Sequence, residues 1–242
     1  MTTHIVWLSG GKDSTAMSLR LAETQPDTDW RWICTPTGNE LPDVLEHWER
    51  MGGLLGKPLE RIAHPMGLRG LIEAQQMLPS HAARWCTRML KIQPALAWYA
   101  KNAPCVAYVG LRADEPDRAG LFGSEVPQRY PMREWGWGLQ DVKDYLQRRG
   151  VKVPPRTDCA WCYDQTLPEW WELWHRYPAI YDQGEALEAM TGHTFRSPQR
   201  DTWPAELAQL RQRFEAGDVP RGTALNLDLF DAEPTRCRAC SL

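Results

Sequence analysis

Lysine is scarce in this chain. Of its 28 basic residues only six are Lys and the other 22 are Arg. Arginine forks suit phosphate and carboxylate recognition, although a GC-rich genome explains most of such an excess. There is no strong charge imbalance: the formal net charge is −3, so nothing global demands nucleic acid or a membrane surface. No apolar run reaches the roughly 18 residues a membrane helix requires. Thr2, Thr3 and His4 lead into a strand-like segment with no basic region and no long apolar stretch, so a cytoplasmic protein without a membrane partner is expected. Low-complexity segments and internal repeats are absent. His4, His47, His64, His81, His175 and His193 show no metal spacing and are expected to be structural or on the surface.

What is present bounds the rest. The 242 residues, 43% of them hydrophobic, suffice for one large domain or one domain with a smaller appendage. Most of the 13 Trp are expected in packing. Seven cysteines in a reducing compartment argue against disulfides. Two pairs, Cys159/Cys162 and Cys237/Cys240, are spaced C-x-x-C, which points to metal or redox chemistry.

Strand-like and helix-like segments alternate through the first half. Strands are predicted at Ile5 to Leu8, Trp30 to Cys34, within "PLERIAHP" and at Val106 to Gly110. Helices are predicted at Ser14 to Glu23, in "LPDVLEHWERMGGLLG", in "CTRMLKIQPALAWYAKN" with a break near Pro94, and at Leu139 to Arg149. This alternation specifies an α/β fold, a parallel twisted sheet with helices on both faces. The character changes after Val126, and from Val151 the chain reads as helical and loop-rich. The expected division is 1–126 for a nucleotide-binding α/β domain and 127–242 for a helical, cysteine-bearing region, with residue 150 as the other placement of the boundary.

Between the first strand and the first helix stands "LSGGKDS". Ligands of a parallel sheet bind beyond the carboxyl ends of its strands. Gly10 and Gly11 let backbone N–H groups turn inward without a Cβ clash. Successive N–H groups form an anion nest, and the following helix adds the positive end of its dipole. Lys12 adds a point charge and Ser9 and Ser14 add hydroxyls, so Ser9, Gly10, Gly11, Lys12, Asp13 and Ser14 are the predicted phosphate or pyrophosphate site. The order of residues is not that of the Walker loop. Arg112, just past a strand end, and Arg118 are candidates for a bidentate clamp on phosphate or sulfate; pairing with Asp114, Glu115 and Asp117 is the alternative. Asn39 and Glu40 could reach an adenosine or a metal, or cap the next helix, the cap being favoured for Asn39.

"LSGGKDS" resembles the pyrophosphate loop of the N-type ATP pyrophosphatase superfamily. "TGNELPDVLEH", "GLRADEPDRAG" and "YPMREWGWGLQDVKDYLQRRGV" resemble, in the same order, segments of its phosphoadenylyl- and adenylyl-sulfate reductase branch. The resemblance runs from residue 5 to about 162. Pro116 stands where that branch often has Ser. The resemblance implies an adenine nucleotide substrate (ATP, adenylyl sulfate or its 3′-phosphorylated form), with Mg²⁺ in the ATP case, and a thiol reductant such as thioredoxin.

In adenylyl-sulfate reductases the position of Cys86, in "RWCTRMLK", carries Cys-Cys, and a later C-x-x-C completes a four-iron cluster. Here the second position is Thr87. Cys86, Cys159 and Cys162 thus match three ligands of a [4Fe–4S] cluster, and Cys237 or Cys240 is available as the fourth; alternatively one iron stays open. The rival is Zn²⁺ on Cys159, Cys162, Cys237 and Cys240. Arg88 and Lys91 are possible sulfate or phosphate contacts. Sulfonucleotide reductases attack sulfur with a C-terminal Cys in Glu-Cys-Gly-Leu-His. That motif is absent, but the chain ends "RCRACSL", so Cys240 is the candidate nucleophile, with Lys91 and Arg112 as further catalytic candidates. Arg236 and Arg238 would lower the Cys240 pKa. Cys34 and Cys105 are expected to be buried and inert. Three functions follow: sulfonucleotide reduction; ATP-dependent sulfur transfer to a nucleic-acid acceptor; or a non-catalytic nucleotide-binding module with structural zinc.

Overall fold

The strands alternate strictly between two buried faces. In β1 (Thr3–Trp7) and β2 (Trp30–Cys34), Val6, Trp30, Trp32 and Cys34 join one apolar cluster, while Ile5 and Ile33 join another with Trp7 against it. Burial on both faces is what a parallel sheet demands. A computed structural model describes residues 2–120 and 126–223. Its sheet has five strands, all parallel, in the order β3-β2-β1-β4-β5, with β3 at Glu60–Arg61, β4 at Cys105–Tyr108 and β5 at Gln128–Arg129. The expected third strand shrinks to two residues, and β5 was not foreseen.

Helices α1 (Lys12–Thr24), α2 (Pro42–Leu54) and α3 (Gly67–Gln75) follow β1, β2 and β3. A short α4 (Trp85–Thr87), a π-helical turn (Arg88–Ile92) and α5 (Gln93–Asn102) form one continuous rod before β4. The predicted break at Pro94 is instead this wide turn. Proline offers no N–H and crowds the carbonyl four residues back, and a π turn loosens the ladder where that conflict falls. Ala95 and Tyr99 of α5 pack beneath Ile5, Ile33 and Ala107, covering one face. Apolar residues of α1, α2 and α3 belong to the larger cluster on the other.

After β5 come α6 (Pro131–Glu134) and α7 (Leu139–Arg148). Helix α7 packs on α1, where Tyr145 donates to Glu23 at 2.7 Å. The guanidinium of Arg20 lies over the rings of Trp135 and Trp137, 5.0 and 4.6 Å from their centres. Helices α8 (Leu167–Arg176), α9 (Pro178–Thr191) and α10 (Leu207–Glu215) close the described chain. Tyr177 and Arg176 bond to Asp43 of α2 at 2.8 and 3.2 Å, so this helical region is tied to the sheet layer. Among the described residues no helix is long and apolar enough to cross a membrane.

In the order 3-2-1-4-5, chain direction across the sheet reverses between β1 and β4. The crevice outside the carboxyl ends of those two strands is the switch point, and the candidate site opens there.

Candidate active site

The chain leaves β1 through Ser9 and Gly10 and enters α1 at Lys12, with Gly11 as N-cap and no side chain capping it. Amides of the first turn therefore keep their capacity for an external acceptor. Gly10 has φ +91°, and a Cβ there would stand 2.9 Å from the indole Nε1 of buried Trp48. The turn thus requires glycine on two counts. Gly110, past β4, closes on the loop from the other side: a Cβ there would meet the Ser14 amide nitrogen at 3.2 Å. The Ser9 and Ser14 hydroxyls lie 3.1 Å apart, and Ser14 donates to the Gly11 carbonyl at 3.1 Å.

A relay from exposed Arg50 through buried His47 and Thr15 braces the loop. Arg50 donates to His47 Nδ1 at 2.8 Å, and His47 Nε2 lies 3.0 Å from the Thr15 hydroxyl, itself 3.4 Å from the Gly10 carbonyl. Since Arg50 only donates, Nδ1 must accept and the ring proton sits on Nε2. Burial, with Arg50 adding to it, pushes the His47 pKa down to about 4, so the ring is neutral at pH 7.

Arg112 is 2% exposed and spends its guanidinium on three carboxylates: Asp13 at 3.0 Å, Asp114 at 2.8 Å and Glu115 at 3.3 Å. The alternative pairing is thus realised for Arg112, with Asp13 of the Ser9–Ser14 loop in place of Asp117. Arg112 braces the loop rather than clamping a ligand. Arg118 lines the cavity and bonds Glu115 at 2.8 Å. Burial raises the Asp13 carboxyl above its ordinary range, against the pull of Lys12 and Arg112.

These groups surround a cavity of about 170 Å³. Its walls include Ser9, Gly11, Lys12, Asp13 and Ser14 together with apolar Trp7, Ile33, Ile92, Val109 and Leu111. Cationic and amide donors combined with apolar walls suit a nucleotide.

The loop that carries Cys159 and Cys162 is built differently. Arg156, Asp158 and Gln165 are all buried. Arg156 donates to Gln165 at 2.8 Å, to Asp158 at 3.4 Å and to the Cys159 carbonyl at 3.0 Å, while Gln165 donates to the Ala160 carbonyl. The loop is pinned to the turn after β2, where the Ala160 amide donates to the Asn39 carbonyl at 2.7 Å and Glu40 bridges Cys159. Glu40 holds that turn closed by accepting from the Thr37 amide and hydroxyl at 2.6 Å and the Gly38 amide at 3.0 Å. The expected cap fails: Leu41 is the N-cap of α2 and no side chain bonds there, and buried Asn39 leaves its Nδ2 without a partner among the described residues.

Cys86, Cys159 and Cys162 line one small cavity of about 30 Å³, with Thr87, Lys91, Asp158, Trp161 and Tyr163. Lys91 and Cys159 line both cavities and form their common wall. Burial pushes the Cys159 thiol up to about 12 and raises Cys86 and Cys162 as well, with Lys91 opposing it at Cys86 and Cys159. Three thiols on one wall fit a thiolate-ligated group in donor chemistry. Among the described residues, however, no three His, Cys, Asp or Glu side chains stand in a group that could hold a metal ion. Cys237 and Cys240, expected as ligand and nucleophile, lie outside the described residues. Cys34 and Cys105 are buried as expected, with Cys34 in the wall of the larger cavity.

Sequence reasoning missed His47, Arg156 and Gln165. Each acts through long-range or loop contacts that no spacing announces.

No family model matches the chain, and no curated protein matches it in sequence. A crystal structure of phosphoadenylyl-sulfate reductase from Candida auris, in its phosphate complex, superposes with a TM-score of 0.51 over 63% of this chain and 75% of that one, at 14% identity. The fold is that of phosphoadenylyl-sulfate reductase. The α/β architecture expected from the alternation of strands and helices is therefore the one found.

Proposed function

We propose that the chain is a sulfonucleotide reductase: it binds an adenine nucleotide with the anionic tail on Ser9–Ser14 and performs sulfur chemistry at the adjoining thiols. The observation that carries this reading is the common wall. Lys91 and Cys159 line both the larger cavity, which holds the Ser9–Ser14 loop, and the three-thiol cavity, so a ligand in the one has the cysteines of the other across a shared wall.

In this reading a tail thiolate, Cys240, attacks the sulfur of the sulfonucleotide. The S–O bond to the nucleotide phosphate breaks, the nucleotide leaves with that oxygen, and Cys240 carries the sulfonate. A dithiol reductant of the thioredoxin class then releases sulfite and is left as its disulfide. Lys12 and the α1 amides hold the leaving phosphate, and Lys91 balances charge at the wall. Cys86, Cys159 and Cys162, with Cys237 as fourth ligand, would hold a [4Fe–4S] cluster, which would supply thiolate-ligated iron and its hydrogen-bond-tuned charge beside the sulfur.

The test is direct. Anaerobically purified protein is assayed for iron and acid-labile sulfide, then incubated with adenylyl sulfate or its 3′-phosphorylated form and thioredoxin. Sulfite release that is lost in Cys240→Ser is expected. Pyrophosphate release from ATP without sulfite formation would assign ATP-dependent sulfur transfer instead. Colourless protein with stoichiometric zinc would remove the cluster.

A further inference from the structure

Arg156, Thr157, Asp158 and Cys159 run along the seam between the two cavities, and consecutive side chains serve different neighbours. Arg156 enters the buried network with Gln165. Asp158 faces the thiol cavity, and Cys159 faces both. Thr157 alone of the four lines only the nucleotide cavity. Its hydroxyl lies 3.5 Å from where a Cβ on Gly11 would stand, which puts it over the N-cap of α1. It is half-buried, and among the described residues its hydroxyl has no hydrogen-bond partner.

A hydroxyl in that position has a definite use. A ligand that covers it without bonding to it loses the water it had and gains nothing. An anion seated on the first-turn amides beside Lys12 occupies the same corner and offers the acceptor. We infer that the Thr157 hydroxyl donates to a phosphate-class anion bound at Gly11–Lys12, so that one ligand touches both the phosphate loop and the strand of chain leading to Cys159. The inference rests on the phosphate-loop reading above and adds a contact from the opposite wall. The rest of the loop's donors come from its own backbone and side chains; Thr157 is 143 residues further along the chain by its number and reaches the anion only through the fold.

The experiment compares Thr157→Val, which keeps the shape and removes the hydroxyl, with Thr157→Ser, which keeps the hydroxyl. Affinities for ATP, inorganic pyrophosphate and adenosine are measured calorimetrically on anaerobically purified full-length protein, with melting temperature as the folding control. A hydrogen bond to a charged acceptor is worth roughly a tenfold change in affinity or more. Thr157→Val is expected to weaken ATP and pyrophosphate by about that factor while adenosine, which carries no anion, binds as it does to the wild type. Thr157→Ser should restore anion binding to within about threefold. Equal pyrophosphate affinity in the wild type and Thr157→Val overturns the assignment and leaves the phosphate loop standing. Loss of adenosine together with the anions overturns it too, because that pattern is a packing defect. Wild-type protein that binds adenosine but neither ATP nor pyrophosphate overturns the phosphate-loop reading itself.

Discussion

The two loops that meet at the candidate site hold their shape by opposite means. Ser9–Lys12 is built from backbone: a positive φ at Gly10, a close approach by Gly110, and the open first turn of α1. Cys159–Cys162 is built from side chains, with Arg156, Asp158 and Gln165 buried around it, Arg156 and Gln165 donating to its carbonyls and Asp158 accepting from Arg156. A backbone-built loop leaves its amides for a ligand. A side-chain-built loop spends its polar groups internally and offers only what projects from it, here thiols. The contrast teaches which substitutions each loop tolerates.

The largest effect is expected where the second loop is cut from its support. Arg156→Ala removes the cation from a buried pair with Asp158, and breaking such a pair costs about 3–5 kcal/mol. Urea denaturation would show it as a fall in midpoint at unchanged slope. A loss under about 1 kcal/mol would mean that the loop stands without its network.

The brace beneath the first loop gives a pH dependence. His47 has its pKa lowered to about 4 when folded, against the ordinary 6.5. Above pH 6.5 both states are neutral there and the full stability is present. As pH falls toward 4 the unfolded chain takes up a proton that the folded one refuses, and stability drops by on the order of 3 kcal/mol. His47→Gln should flatten that part of the stability-against-pH curve. An unchanged slope would place the ring in water rather than under the loop.

A smaller effect tests the backbone itself. Gly10→Ala forces an L side chain into left-handed backbone against buried Trp48, at roughly 1–2 kcal/mol, and should abolish detectable ATP binding while circular dichroism is retained. Smallest of all, Ser9→Ala removes a hydroxyl contact to Ser14 and a long one from the Gly11 amide and should cost about 1 kcal/mol or less. If Ser9→Ala impaired ATP binding as much as Gly10→Ala, the first loop would be side-chain-built and the contrast would vanish.

Much of this was legible in the residues. The run Trp30–Cys34 reads as a strand and is one, and the Ser-Gly-Gly-Lys-Asp-Ser turn lies between strand and helix as its composition requires. Local periodicity and turn chemistry act within a few residues, so they can be read along the chain. What was misread involved partners far apart. Arg112 looked like a ligand clamp because Asp13, 99 positions away, is invisible to spacing. Asn39 looked like a cap, yet the turn closes on Glu40, and the Asn39 carbonyl serves the cysteine loop instead.

By itself, then, the sequence determined the α/β alternation, the phosphate-type turn and the presence of a C-x-x-C, because each is a property of neighbouring residues and their backbone preferences. Only the tertiary structure decided that β1 and β4 flank the switch point, that Cys86 shares a cavity with Cys159 and Cys162, and that Lys91 and Cys159 divide that cavity from the larger one beside Ser9–Ser14. Those outcomes depend on which apolar faces bury against one another, and burial is settled by the whole chain at once.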